Sequence, residues 1–309
     1  MDLLGGKSRR TTAYQLNQEF RKFMNEQKKL HDLHKAMREV ELFESYIHML
    51  RTIHLDADEP LDWHGIYTTP PPFEPGNPGP NEARAIQEEA AYKPTLWDRL
   101  FGRVNRRRNA LRDRVARARE EDEAAYRSWK EGRELAERIL SGDESAYVEA
   151  VRVLNPFSDL AELGSDFTCY ATEKPSLLAV EFRVHSDKIV PREVKTLTKT
   201  GKLSVSEMPV TRYNSLKQDY VCSTIFRVAR DMFAILPITE VLVHATDFLM
   251  NEAVGRMEAV TIVSVRINKK LLESLNLEAI DPSEAISLFE HRMNFLKTKG
   301  FRAVEQLSA

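Results

Sequence analysis

Glu193-Val194-Lys195 sets an acid and a base two residues apart in Ile189–Leu197, a stretch whose apolar and β-branched content reads as a strand. Side chains alternate across a strand, so Glu193 and Lys195 share a face. If the chain turns back near Asp187, the strand-like run Leu177–His185 pairs with it, and Glu181 falls opposite Glu193. Two carboxylates and an ammonium would then converge. Glu181 and Glu193, with Asp187 as an alternative first acid, would be oxygen ligands for Mg²⁺, and Lys195 would position a water or offset phosphoryl charge. The same residues also read as a charge ladder that keeps an edge strand from pairing with other chains.

Further cations stand in two clusters. Lys199 and Lys202 lie in Thr198-Lys-Thr-Gly-Lys202, and Lys297 and Lys299 in Lys297-Thr-Lys-Gly300. If the two segments meet, the four lysines form a polyanion site. Neither is a phosphate loop, because each carries a single glycine. The first suits a hairpin turn with Gly201 at positive φ, and the second the end of a helix running from Pro282 to Phe295. Residues 99–119 hold nine arginines against Asp113 alone. They read either as a phosphate-tracking stripe or as a solvated helix face neutralised by acids on a partner helix. His31 and His34 share a helix face without a third metal ligand. His185 ends one strand and His244 lies on another. Cys169 and Cys222 have no neighbouring histidine that would make either a nucleophile.

These residues need elements to position them. Residues 11–54 read as one helix, with Leu16, Phe20, Phe23, Leu30, Met37, Val40, Ile47 and Leu50 recurring at steps of three, four or seven, and Gln27 and His34 as polar seam positions. Six prolines between residues 68 and 80 then exclude helix or central strand. A short helix follows at 81–91. Thr95 and Asp98 form a capping box for a second long helix. Trp97, Phe101, Val104, Leu111, Val115, Ala118, Ala125, Trp129, Ala136 and Ile139 make its heptad seam, with Arg108, Asp122 and Gly132 between them, up to a stop at Ser141-Gly142. Two helices of similar length joined by a loop suggest an antiparallel hairpin. In that register Lys28 and Lys29 face Glu120 and Glu121, while Glu39, Glu41 and Glu44 face Arg106–Arg108.

The rest reads as short helices at 144–154 and 158–163, then strands at 167–172, 177–185 and 189–197. A helix follows over 212–235, an antiparallel pair at 240–245 and 260–267 around a loop at 251–256, and helices at 269–275 and 282–295. The expected fold class is therefore α+β: a long antiparallel helical hairpin, or coiled coil, over 1–142, and a compact domain with a mostly antiparallel sheet over 143–309. Formal net charge is −2, so any attraction for polyanions is local. No apolar run approaches the roughly 18 residues that would suggest a membrane span. Residues 1–7 carry no signal-peptide core, and the expected location is cytoplasmic with no membrane partner.

The order helix, three strands, helix, strand over residues 157–247 resembles the core of the PD-(D/E)XK nucleases. Glu193–Lys195 matches that family's acid-x-Lys motif, and Glu181 or Asp187 its earlier acid. Gln218 lies on the following helix, where RecB-like members carry Gln and Tyr; here Tyr220 is two residues on rather than four. The resemblance implies Mg²⁺-dependent cleavage of DNA or RNA. Lys195–Ser204, Gln218–Cys222 through Leu236-Pro237, and Lys297–Phe301 are also similar to an uncharacterised group of bacterial proteins with an N-terminal coiled coil and a C-terminal α+β domain. That resemblance implies a bacterial origin and no particular activity.

Two functions are expected from different classes. One is a non-enzymatic assembly or accessory protein. Its coiled-coil arm binds a protein partner or a second copy of the chain, and its lysine cluster binds a polyanion such as nucleic acid, with no cofactor that the sequence identifies. The other is a nuclease using Glu181, Asp187, Glu193, Lys195 and Mg²⁺.

Overall fold

The computed structural model describes residues 5–174, 177–251 and 254–309, with the side chains of residues 5–15 outside that description. The fold is α+β, with a long N-terminal helix and a C-terminal, mostly antiparallel sheet. The chain divides into two compact units. The sheet unit gathers Met1–Asp58, Pro156–Met232 and Thr239–Ala309; the helical unit gathers Glu59–Asn155 and Phe233–Ile238.

In the helical unit, α2 (Trp63–Thr68) begins on Asp62, whose carboxylate accepts from the Gly65 amide. The proline-rich stretch beyond it is loop, as the missing amide donors require. α3 (Pro80–Ala91) opens on a proline and lacks a side-chain cap of its own. Asp122 supplies one from another helix: it accepts from the amides of Asn81 (3.3 Å) and Glu82 (2.8 Å) and from Asn81 Nδ2 (2.9 Å). A Cβ on Gly79 would come within 2.4 Å of the Asp122 carboxylate, so only glycine leaves it room. The polar seam residue at 122 is thus a buried helix cap.

α4 (Leu96–Leu100) carries the expected Thr95/Asp98 capping box. The second long helix does not continue from it. Gly102 takes a φ of +63°, and α5 (Val104–Leu140) starts afresh. Trp97 and Phe101, expected as the first seam residues, are exposed instead. The rest of the seam largely holds: Ala118, Asp122, Ala136 and Ile139 are buried, and Leu111, Val115, Trp129 and Gly132 are half-buried. Ala125 is exposed, and the half-buried Tyr126 takes its place. The elements covering this seam are α2 and α3. They also supply the acids, since α3 runs beside the arginines: Glu82 pairs with Arg119 (2.6 Å), Glu88 with Arg114 (2.6 Å) and Glu89 with Arg112 (3.6 Å). Asp98 pairs with Arg107 at 3.2 Å. α5 ends at Ser141 and Gly142, and α6 (Glu144–Leu154) extends the same unit to Asn155. The hairpin expected of the two long helices is therefore not the internal packing of either unit.

The sheet unit contains α1 (Gly5–Thr52), α7 (Ser158–Glu162), β1 (Asp166–Ala171), β2 (Leu177–Arg183), α8 (Ser186–Ile189), β3 (Glu193–Leu197) and β4 (Leu203–Glu207). α9 (Val210–Ile235) leads to β5 (Glu240–Asn251), β6 (Arg256–Asn268), α10 (Lys269–Glu273), α11 (Pro282–Ala285), β7 (Glu290–Leu296) and β8 (Gly300–Arg302). The six-stranded sheet has the order β1-β2-β5-β6-β7-β8, with β2 and β5 parallel and the other pairs antiparallel. Leu216, Tyr220, Ile225, Val228, Ala229 and Met232, the inward stripe expected of α9, are all buried. Tyr220 meets Phe182 of β2 edge-on at 6.2 Å and shares a hydrogen bond with Ser165. The loop expected at 251–256 joins β5 to β6, with residues 252 and 253 outside the described ones.

The last expected helix ends early. After α11 and one 3-10 turn, residues 290–296 form β7, where half-buried His291, Met293 and Phe295 alternate with exposed residues. Two-residue alternation is a strand signal. Lys297 and Lys299 therefore sit in a hairpin turn, not at a helix end.

Asp122→Ala is expected to lower the stability of the helical unit by about 2 kcal/mol, since a buried amide and a part-buried one lose their acceptor. Asp122→Asn, whose amide oxygen can still accept, should lose less. Denaturant melts of the two variants check this ordering.

Candidate functional site

The register of β2 and β3 departs from the expected one. Between them α8 turns the chain away, and β3 pairs only with β4, so that Glu193 faces Glu207 and Lys195 faces Val205. Glu181 lies in the large sheet between Thr168 of β1 and His244 of β5. Glu181 and Glu193 are therefore in different sheets, and the carboxylate pair expected to hold Mg²⁺ is not a ladder pair. Among the described residues no three of His, Cys, Asp and Glu are grouped so as to hold a metal ion. The register thus does not set Glu181 opposite Glu193, the pairing from which the Mg²⁺ site was expected. Asp187 is exposed in α8.

Lys195 has a different partner. Its Nζ lies 2.7 Å from Glu39 Oε2 on α1 and holds that carboxyl below the usual carboxylate range. Lys199 and Lys202 flank Gly201 in the β3–β4 turn, where φ is +76° as expected of a hairpin glycine. Lys297 and Lys299 belong to the separate β7–β8 turn, which Asn214 of α9 holds by donating to the Lys297 carbonyl. Among the described residues none of these four lysines forms an ion pair. Burial pushes the thiols of Cys222 and Cys169 up, the latter to about 12, which leaves both unreactive.

What the β3–β4 ladder does is hold α1. Leu33, Ala36, Val40, Phe43, Ile47 and Leu50 recur at steps of three and four, and all are half-buried or buried. Leu33 comes so close to the turn that a Cβ on Gly201 would lie 2.7 Å from its Cδ1. Further along, Tyr46 donates to the Ile189 carbonyl (2.8 Å), Arg51 pairs with Asp219 (2.9 Å), and the His54 amide donates to Ser223 Oγ (3.0 Å). Residues 16–32 are exposed on every face. Along them runs a second stripe, at Leu16, Phe20, Phe23, Gln27, Leu30, His34 and Met37, with strict steps of four and three. Its apolar members are between 48% (Leu30) and 68% (Leu16) exposed.

Compared with protein-family models, curated proteins and solved structures, the chain matches none. The exposed stripe of α1 is thus the candidate site on its own geometry: a helical arm about 25 Å long at 1.5 Å per residue, bearing an exposed heptad seam.

Sequence reasoning missed a buried cluster in the sheet unit. Lys217 of α9 pairs with Asp247 of β5 at 2.6 Å, and Ser186 Oγ donates to the same carboxylate at 2.6 Å. All three are buried. They tie α8 to the sheet, which is what turns β3 away. Their separations in sequence give no local pattern; the nearest signal is a lysine on the apolar side of α9.

His244, beside Glu181, is buried and hydrogen-bonded to Ser264, and burial pushes its imidazole down to about 4. The unfolded chain takes up this proton near 6.5 and the folded chain only near 4. Stability is expected to be full above about 6.5 and to fall as pH drops toward 4. His54, also pushed down by burial, acts in the same direction. Denaturation midpoints at pH 7 and pH 5 check this. The difference between them should shrink in His244→Gln.

Proposed function

We propose that the chain is an assembly protein whose N-terminal arm pairs with the arm of a second copy, parallel and in register. The carrying observation is the exposed seam from Leu16 to Met37 on a helix whose other stripe is already buried. Written as heptads, Leu16, Phe23, Leu30 and Met37 occupy d, and Phe20, Gln27 and His34 occupy a. In an antiparallel pair a faces d, so Gln27 and His34 would each be pressed against an apolar side chain, without a hydrogen-bond partner. In a parallel pair a faces a. Gln27 then meets its own copy amide to amide, His34 meets His34, and the apolar d layers meet each other. Polar a positions of this kind set register and orientation. On the flank, Glu26 at g comes beside His31 at e of the second copy. Pairing also covers a helix that is otherwise marginal in water at this length.

Sedimentation of the full chain across a concentration series is the test. The wild type should form a dimer. Phe23→Glu should weaken it about a hundredfold or more, since each copy loses an apolar seam contact of about 1.5–3 kcal/mol. Because Phe23 is exposed in the single chain, its melting midpoint at low concentration should barely change. A wild type that stays monomeric throughout, or a dimer indifferent to Phe23→Glu, would remove the basis of this reading.

A further inference from the structure

α4 is five residues long and buries almost none of its apolar surface. Leu96 is 82% exposed, Leu100 74%, Trp97 68%, and Phe101 just beyond it 58%. The Thr95/Asp98 box fixes the helix that presents them, with Arg107 and Tyr92 also bonded to Asp98. Trp97 and Phe101 stack at 5.7 Å, and Arg103 lies over the Phe101 ring at 5.4 Å. Holding four large apolar side chains in water is unfavourable, and an apolar patch rimmed by charge marks an interaction surface.

The rim has one sign. Between residues 93 and 108 the chain carries Lys93 and five arginines, and Asp98 is the sole acid. Asp98 is buried and paired with Arg107, so these two charges offset each other. Farther along α5, Arg112, Arg114 and Arg119 are paired with acids of α3. Arg99, Arg103, Arg106 and Arg108 form no ion pair among the described residues. The uncompensated charge thus lies next to the apolar patch in sequence, with Arg103 against it in space.

We propose that α4 and the start of α5 are a docking element for an anionic lipid surface. Leu96, Trp97, Leu100 and Phe101 enter the boundary between headgroups and acyl chains, and Arg99, Arg103, Arg106 and Arg108 meet the anionic headgroups. Apolar insertion combined with basic flanks is how interfacial elements bind without spanning the membrane. The arrangement requires no transmembrane helix, and among the described residues no helix is long and apolar enough to cross a membrane. A nucleic acid fits less well. It would use the arginines, but the two leucines offer nothing to a base or phosphate, and Trp97 and Phe101 each already spend one face on the other. This surface is independent of the seam on α1.

The test is co-sedimentation of the full chain with vesicles of phosphatidylcholine alone and of phosphatidylcholine with phosphatidylserine. Binding is expected only to the anionic vesicles, weakening as salt is raised. Leu96→Ser with Leu100→Ser should reduce it about tenfold or more, because both side chains would leave hydrocarbon. Arg106→Gln with Arg108→Gln should reduce it roughly fivefold per charge removed. All four residues are exposed, so the fold should persist, which a melting curve verifies. Absence of binding to anionic vesicles at low salt overturns the proposal. So does binding that the arginine changes abolish but the leucine changes leave intact, or tighter binding to duplex DNA lost in the same way, since either marks a general polyanion surface.

Discussion

A helix can bury only the stripe that faces its neighbour, and α1 carries two. The stripe from Leu33 to Leu50 and the stripe from Leu16 to Met37 each advance by threes and fours, but they are offset by one residue, about 100° round the helix. They overlap only between residues 33 and 37. One wall therefore cannot take both. The β3–β4 ladder takes the first, and the second stays exposed as a seam. Everything assigned to the arm follows from that change of phase.

Holding such a helix takes a platform set apart from the main sheet. α8 provides the turn, fixed by Ser186 and Lys217 on Asp247. β3 and β4 then form their own ladder, with Gly201 admitting Leu33 and Lys195 reaching Glu39. The same turn carries Glu193 away from Glu181. Within this packing Val194 is buried, Lys195 pairs with Glu39 of the helix, and Glu193 is exposed. In the helical unit a polar residue again replaces an apolar one for a local reason. Asp122 breaks the α5 seam because α3 begins on Gly79 and needs a cap from outside.

Much of the fold was legible from periodicity. The bounds of α6, the span of α9, the β5–β6 pair and the capping box at Thr95 each rest on signals within one segment. What escaped depends on distant residues. The acids opposite the α5 arginines come from α3, a short helix, whereas two long helices of similar length suggest each other as partners. Ala285, Ile286 and Phe289 keep helical spacing up to the point where alternation begins, and that spacing hides β7. The pairing of β2 with β5 rather than β3 depends on α8, whose four residues carry no periodicity. For the arm, the seam residues were legible but their freedom was not. The signal lay in the step from Met37 to Val40, where a strict heptad would go on to Glu41.

The orientation of the paired arms is the central claim, and a single cysteine reads it. In a parallel, in-register pair, position 34 lies against itself across the two chains. In an antiparallel pair matched on the same seam it faces position 23, and the two copies of position 34 are about 16 Å apart along the axis. Under mild oxidation, His34→Cys should yield a disulfide-linked dimer that runs as one species on a non-reducing gel and vanishes in Phe23→Glu. A chain that sediments as a dimer yet forms no such link would contradict the parallel arm.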